Sequence, residues 1–208
     1  MPLYYIRQSP VIGIWKMVEP WQELLEMFQN KTLYADDVLK IQSDKRKCEW
    51  LAIRLLLKRL VGAEVLVDYK SNGAPFLTGT PYHISISHTK GYAALILSKH
   101  PNPGIDIEYR SLRALKLCSR FLSEKELEQL EPPNSHLETL ATICWCAKET
   151  AFKALQESNV DFIQDFHIAP FTFSDKGVIR LKETKTAAKK TYSIHYLVKD
   201  EFVMTWLA

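Results

Sequence analysis

Gly104-Ile105-Asp106-Ile107-Glu108 alternates apolar and polar side chains with a period of two, the pattern of a strand with one face buried. Ile105 and Ile107 are expected to face a core, and Gly104, Asp106 and Glu108 to face the other way. Two carboxylates on one strand face sit roughly 6–7 Å apart at their Cα atoms, close enough to lean toward one hard cation. Taken alone, the pair reads equally as a solvated strand face.

The second decisive stretch lies some forty residues on, in Trp145-Cys146-Ala147-Lys148-Glu149-Thr150-Ala151-Phe152-Lys153. Residues 136–155 have helical periodicity. Leu137, Leu140, Cys144, Ala147, Ala151 and Leu155 form one apolar stripe, and Trp145, Glu149, Phe152 and Lys153 form the opposite one. An exposed Glu–Lys pair at i,i+4 would contribute only about 0.2–0.5 kcal/mol. The flanking Trp and Phe point instead to a second covered face, with Glu149 and Lys153 in a restricted setting. Asp106, Glu108 and Glu149 would offer three oxygen ligands and leave room for phosphate and water, which suits Mg²⁺. A lysine nearby complements a pyrophosphate as a point charge. The chemistry implied is metal-assisted attack at a phosphoryl centre.

A chain of 208 residues can bury a sizeable core in one domain or two lobes. A net charge of +3 is too small to imply nucleic acid and is compatible with an anionic ligand. Cys48, Cys118, Cys144 and Cys146 show no C-x-x-C pairing, so buried reduced thiols in a cytoplasmic protein are expected. No signal peptide or membrane-spanning run is visible.

Along the chain, residues 11–17 read as a strand, and 21–28 and 44–60 as helices, the latter ended by Gly62. Asn72-Gly73-Ala74-Pro75 is a turn. Residues 82–87 and 92–97 form a hairpin through His88-Thr89-Lys90-Gly91. Pro101-Asn102-Pro103 is a linker. Ser123-Glu124-Lys125-Glu126 fits a capping box, and Pro132-Pro133-Asn134 stops the helix that it opens. Strand and turn follow over 161–173 and 177–181, and a last hairpin over 192–207 turns at Lys199-Asp200. Each half therefore runs strand, helix, long helix, hairpin. The expected fold is α+β, with two similar lobes, 1–102 and 103–208, and a ligand cleft between them. The acids occur only in the second lobe; Trp15 and Lys16 stand where the first would need them.

The paired signature, G-[IV]-D-[IV]-E followed by W-x-x-K-E-[AST]-x-x-K, resembles that of the 4′-phosphopantetheinyl transferases. Three further segments resemble the larger, two-lobed, surfactin-type branch: the turn Asn72-Gly73-Ala74-Pro75, the strand end Ile84-Ser85-Ile86-Ser87-His88-Thr89, and Arg120-Phe121-Leu122-Ser123-Glu124-Lys125-Glu126. The chain is too long for the short, trimeric holo-acyl-carrier-protein synthase branch. The resemblance implies that coenzyme A and Mg²⁺ bind in the cleft between lobes, and a monomer is expected because each lobe can cover the other. A carrier-protein serine attacks the β-phosphate and 3′,5′-ADP leaves. Asp106, Glu108 and Glu149 take the metal-ligand roles, with Asp106 also on the cofactor side. Glu149 serves as base, and Lys153 stabilises the pyrophosphate. Ser87 and His88 match the strand end that meets the 3′-phosphate of coenzyme A, and Arg46, Lys47 and Arg54 resemble the family's basic helix. Ala74 replaces a frequent lysine, and Ser85 the motif's asparagine.

In residues 109–117, Arg110, Arg113 and Lys116 alternate with Leu112, Leu115 and Leu117. The segment reads either as an amphipathic helix or as a docking surface for a small acidic acyl, peptidyl or polyketide carrier protein. The same D-x-E and E-x-x-x-K chemistry would also serve a metal-dependent nuclease or phosphodiesterase. A non-catalytic protein that binds coenzyme A or a carrier would keep the scaffold alone.

Overall fold

The computed structural model describes residues 3–130 and 136–208, which divide into two units, Met1–Pro101 and Asn102–Ala208. Among the described residues no helix is long and apolar enough to cross a membrane.

In the first unit, β1 (Leu3–Gln8) pairs antiparallel with β2 (Val11–Lys16). α1 (Trp21–Glu26), α2 (Thr32–Lys40) and α3 (Asp44–Val61) follow. Ser43 caps α3 by accepting from the Arg46 amide, and Gly62 ends it in the left-handed region at φ +82°, as a terminal glycine does at little cost. β3 (Val67–Tyr69) and β4 (Pro75–Leu77) form a ribbon around the predicted 72–75 turn. β5 (His83–Thr89) and β6 (Tyr92–Ser98) form the predicted hairpin with a tighter turn. His88 and Thr89 are strand residues paired with Ala93 and Tyr92, so His88 lies in the ladder and not in the loop. The four-stranded sheet has the order β1-β2-β6-β5, all antiparallel. α3 packs on β2 and β6 over a core that includes Trp15, Leu51, Leu56, Leu95 and Leu97.

A Cβ on Gly13 would meet Leu56 and Leu60 of α3, so Val11, Gly13 and Trp15 share the helix-facing side. Lys16 faces away, its ammonium over the Tyr92 ring. The expectation that Lys16 stands in an acid's place is therefore corrected by strand parity; Trp15 alone does.

In the second unit, β7 (Gly104–Tyr109) is followed by α4 (Arg113–Leu117) and α5 (Glu124–Leu127). The capping box between Ser123 and Glu126 is present. The predicted stop at Pro132-Pro133-Asn134 lies outside the described residues. α6 (Leu137–Leu155) is the longest helix among the described residues. β8 (Phe166–Ile168), β9 (Lys176–Glu183), β10 (Thr191–Val198) and β11 (Phe202–Leu207) complete an antiparallel sheet of order β7-β11-β10-β9-β8. α6 lies on β7, β11 and β10. Thr150 and Thr205 join hydroxyls at 2.6 Å, and Thr205 donates to the Cys146 carbonyl at 2.8 Å. Those bonds pin the helix to β11. The fold is thus mixed α/β, with Ile105 and Ile107 buried as expected. Cys144 and Cys146 are buried and Cys48 and Cys118 partly exposed; all four are free thiols. Burial pushes the Cys144 thiol up to about 12 and Cys146 well above its ordinary range, so neither is a nucleophile at neutral pH.

Candidate active site

β7 and α6 bring the two signature stretches together. The contact depends on Gly104: a Cβ there would lie 2.3 Å from the Thr150 carbonyl oxygen. At that approach Lys153 Nζ donates to Asp106 Oδ1 at 2.8 Å and to the Ile105 carbonyl at 3.0 Å. Asp106 is 4% exposed. Trp145 Nε1 donates to Glu108 Oε1 at 3.3 Å. All three polar positions of β7 thus address α6.

Glu149 lies one turn before Lys153 and is partly exposed. Burial is the largest influence on its carboxyl, and the negative charges of Asp106 and Glu108 add to it. Together they raise its pKa to about 7 against the opposing pull of Lys153. Glu149, held near neutrality beside two further carboxylates, completes an oxygen-only donor set that a hard divalent cation would relieve. Among the described residues no three His, Cys, Asp or Glu side chains are drawn into a ready cage, and Asp106 Oδ1 is taken by Lys153. The set fits a cation that keeps much of its water, as Mg²⁺ does. Beside Glu108 and Trp145 opens a small pocket, walled also by Tyr109, Leu117, Phe121 and Thr142.

α6 is buried nearly all round, and its more open strip is Trp145, Glu149, Phe152 and Lys153, as the two stripes predicted. Lys148, which sequence reasoning left without a role, is fully buried. Its ammonium donates to Glu126 Oε2 at 2.8 Å and meets the carbonyls of Phe121, Phe162 and Phe166 at 2.8–2.9 Å. Burial lowers its pKa and Glu126 opposes that. Glu126 in turn accepts from the Ser123 amide and hydroxyl and from the Ile168 amide. Lys148 and Glu126 therefore lock α6 to the segment before α5 and to β8, and fix the rotation that turns Glu149 outward. In the sequence the capping box marked Glu126 and the W-x-x-K-E signature marked Lys148, but nothing local joined the two.

In the first unit the predicted basic residues separate into two groups. Arg46 and His88 come together, 42 residues apart, on the buried carboxylate of Glu49. Arg46 Nη1 donates to Glu49 Oε2 at 3.1 Å, His88 Nδ1 lies 3.4 Å from that oxygen, and Arg46 also contacts His88 Nε2. Ser87 precedes His88 on β5 and is buried. Lys47 and Arg54 lie elsewhere. Lys47 pairs with Asp44 at 3.2 Å and covers the Trp21 ring. Arg54 is 6% exposed, stacks 3.3 Å from the Trp50 ring centroid and donates to the Trp50 carbonyl. These are the contacts of packing residues.

The 109–117 segment also divides. Leu112, Arg113 and Lys116 are exposed, whereas Leu115 and Leu117 pack on the core beneath α4. Arg110 donates to Thr139 Oγ1 at 2.9 Å and to the Lys199 carbonyl, tying the end of β7 to α6 and to the last hairpin.

A family model described as the 4′-phosphopantetheinyl transferase superfamily matches residues 102–207. The chain is 33% identical over 113 residues to the 4′-phosphopantetheinyl transferase AcpT of Salmonella typhi, covering 52% of this chain and 58% of that protein. It is 27% identical over 124 residues to enterobactin synthase component D of Escherichia coli O157:H7, covering 58% of this chain and 56% of that one. The chain thus spans less than two thirds of the length of these relatives.

Proposed function

The chain belongs to the 4′-phosphopantetheinyl transferase superfamily, and on that premise we propose that it moves the 4′-phosphopantetheine group of coenzyme A onto a serine of an apo carrier protein. The serine oxygen bonds to the β-phosphorus, the pyrophosphate bond breaks, and 3′,5′-ADP leaves. The observation that carries this reading is the meeting of the signature's two halves: Lys153 on Asp106, with Glu149 raised to about 7 beside both strand acids.

Glu149 takes the serine proton, directly or through water; a pKa near neutrality suits a base. Lys153 steadies the pyrophosphate and the departing 3′,5′-ADP. Arg46 and His88, with Ser87 beside them, receive the 3′-phosphate. Asp106, Glu108 and Glu149 would hold Mg²⁺, which when bound polarises the pyrophosphate oxygens. Leu112, Arg113 and Lys116 form the outward set that an acidic carrier would meet. The form we propose is a cytoplasmic monomer of the two-lobed surfactin-type branch, with coenzyme A in the cleft between lobes and a holo-acyl-carrier-protein synthase activity dependent on Mg²⁺.

The test is incubation with coenzyme A, Mg²⁺ and several apo carrier proteins, read by mass spectrometry. A gain of one phosphopantetheinyl group on the carrier serine is expected. No gain on any carrier would remove the reading.

A further inference from the structure

Glu49 is a buried acid that neither the signature nor the reaction above accounts for. It sits one turn after Arg46 on α3 and is 4% exposed. A carboxylate so placed is costly unless it is paired. Its partners are all cationic or able to become so. Arg46 and His88 share Oε2 at 3.1 and 3.4 Å, and Lys45 Nζ lies 3.7 Å from Oε1. The acid is inside, and its partners point outward: the side chains of Lys45, Arg46 and His88 are 71%, 53% and 35% exposed. Lys148 and Glu126, by contrast, are both buried. Here one buried anion gathers three solvent-facing donors around a point, leaving the cluster with net positive charge.

We infer that Glu49 is a positioning residue of an anion site on the first unit: it orients Arg46 and His88 to receive a phosphate monoester. On the transfer reading above, on which this rests, that group is the 3′-phosphate of coenzyme A. A carboxylate on His88 Nδ1 fixes the ring, and the contact of Nε2 with Arg46 Nη1 holds the two side chains against each other. A carboxylate on one arm of Arg46 uses only part of its five-donor fork and sets the plane of the remainder. Glu49 also repels an incoming dianion, so its net effect is a contest between orientation and charge. Orientation prevails in this arrangement because the carboxylate lies behind the cations, and two of its three contacts fix groups that reach the ligand.

The test is isothermal titration of coenzyme A and of 3′-dephospho-coenzyme A into the parent chain and Glu49→Gln, with folding checked by circular dichroism. Glu49→Gln is expected to weaken coenzyme A about tenfold, the scale on which losing an orienting partner is felt, and to leave the dephospho form within about twofold. In turnover it should raise the KM for coenzyme A with little change in kcat. Unchanged discrimination, or tighter binding of coenzyme A, overturns the inference, the latter by showing Glu49 to be a competing anion. If the amide does not fold, Glu49→Asp keeps the charge and shortens the reach by one methylene. The same selective loss, smaller, is expected, and full discrimination in that variant also overturns the inference. A parent chain that binds both ligands alike removes the phosphate site and this inference with it. That outcome is separable from failure of the transfer reading, which is read on the carrier's mass.

Discussion

The two units pair their strands in the same order and charge them differently. β2-β6-β5 in the first and β7-β11-β10 in the second are antiparallel runs, each with a long helix packed on its first two strands. In each, a glycine on the first strand faces that helix. Two residues later the first unit has Trp15, buried in its core, and the second has Asp106, bound to Lys153. The scaffold therefore does not dictate the chemistry. It supplies a strand and a helix near enough that whatever occupies the helix-facing positions must interact. In one unit that is apolar packing; in the other it is three acids and a lysine.

The largest effect should come from removing chemistry where only one unit has it. On the proposed mechanism, Glu149→Gln takes away the proton acceptor and a metal charge while keeping the size of the side chain. Loss of a general base typically costs about 10²–10⁴-fold in rate. Trp15→Phe, at the matching strand position of the first unit, should leave kcat within about twofold. Parallel turnover assays on an apo carrier check both; a Glu149→Gln protein near the parent rate ends the assignment.

Buried acids mark the next difference. Glu126 faces a lysine with no exposure at all, whereas Glu49 faces partners in solvent. Lys148→Met leaves Glu126 without its cation and should destabilise the chain by about 3–5 kcal/mol. Adding Glu126→Gln should restore part of that loss. Arg46→Met, at the rim of Glu49, should cost at most about 1 kcal/mol. Urea unfolding of the four proteins measures each term, and equal costs for Lys148→Met and Arg46→Met would erase the contrast.

A smaller effect concerns pH. The folded-state pKa of Glu149, about 7, lies above its ordinary value of 4.5. Between those values the folded chain holds more proton than the unfolded one, so this group's contribution to stability falls as pH rises through the window. In chelator, the melting temperature of the parent should drop more from pH 5 to 7.5 than that of Glu149→Gln. Mg²⁺ should raise it most at the upper end, where Glu149 loses its proton. Scanning calorimetry at several pH values decides this, and identical slopes for the two proteins would remove the strain among the acids.

What could be read in the sequence followed local periodicity. β7 and α6 announced themselves by alternation and by helical stripes, and the capping box at Ser123 placed α5 without any tertiary information. α2 carried no start signal: Lys31 stands at its N-cap without a side-chain bond, and its first turn lacks an acid. β1, with Tyr4 and Tyr5, has strand-forming residues, but only pairing with β2 defines it. The site followed the same division. Asp106 with Glu108, and Glu149 with Lys153, could be singled out because each pair is spaced within one element. Lys148 depends on carbonyls at 121, 162 and 166, and Glu49 on a histidine 39 residues away. Arg54, near the apolar stripe of its helix, could be read as ligand cation or structural residue, and nothing local shows its guanidinium folding back over Trp50.

The smallest effects fall on the two glycines and test the comparison most directly. A methyl on Gly13 would meet the tips of Leu56 and Leu60 at 2.7 and 3.0 Å. Those are ends of flexible side chains, which can turn aside within a leucine-rich core. A methyl on Gly104 would stand 2.3 Å from the carbonyl oxygen of Thr150 and 3.2 Å from its carbon. That is helix backbone, held to β11 through Thr150 and Thr205, so the whole of α6 must move. Overpacking of this kind costs about 1–3 kcal/mol, and Gly104→Ala should fall in that range while Gly13→Ala stays below about 1 kcal/mol. The functional difference should exceed the difference in stability. Moving α6 away from β7 stretches the 2.8 Å bond between Lys153 and Asp106 and carries Glu149 out of place, so Gly104→Ala should lose kcat even at temperatures where it is fully folded. Gly13→Ala moves nothing that touches the reacting groups and should keep it. Denaturant melts paired with turnover at a temperature well below both transitions separate the two quantities. A Gly104→Ala protein with parental kcat would mean that the closeness of β7 and α6 serves packing alone.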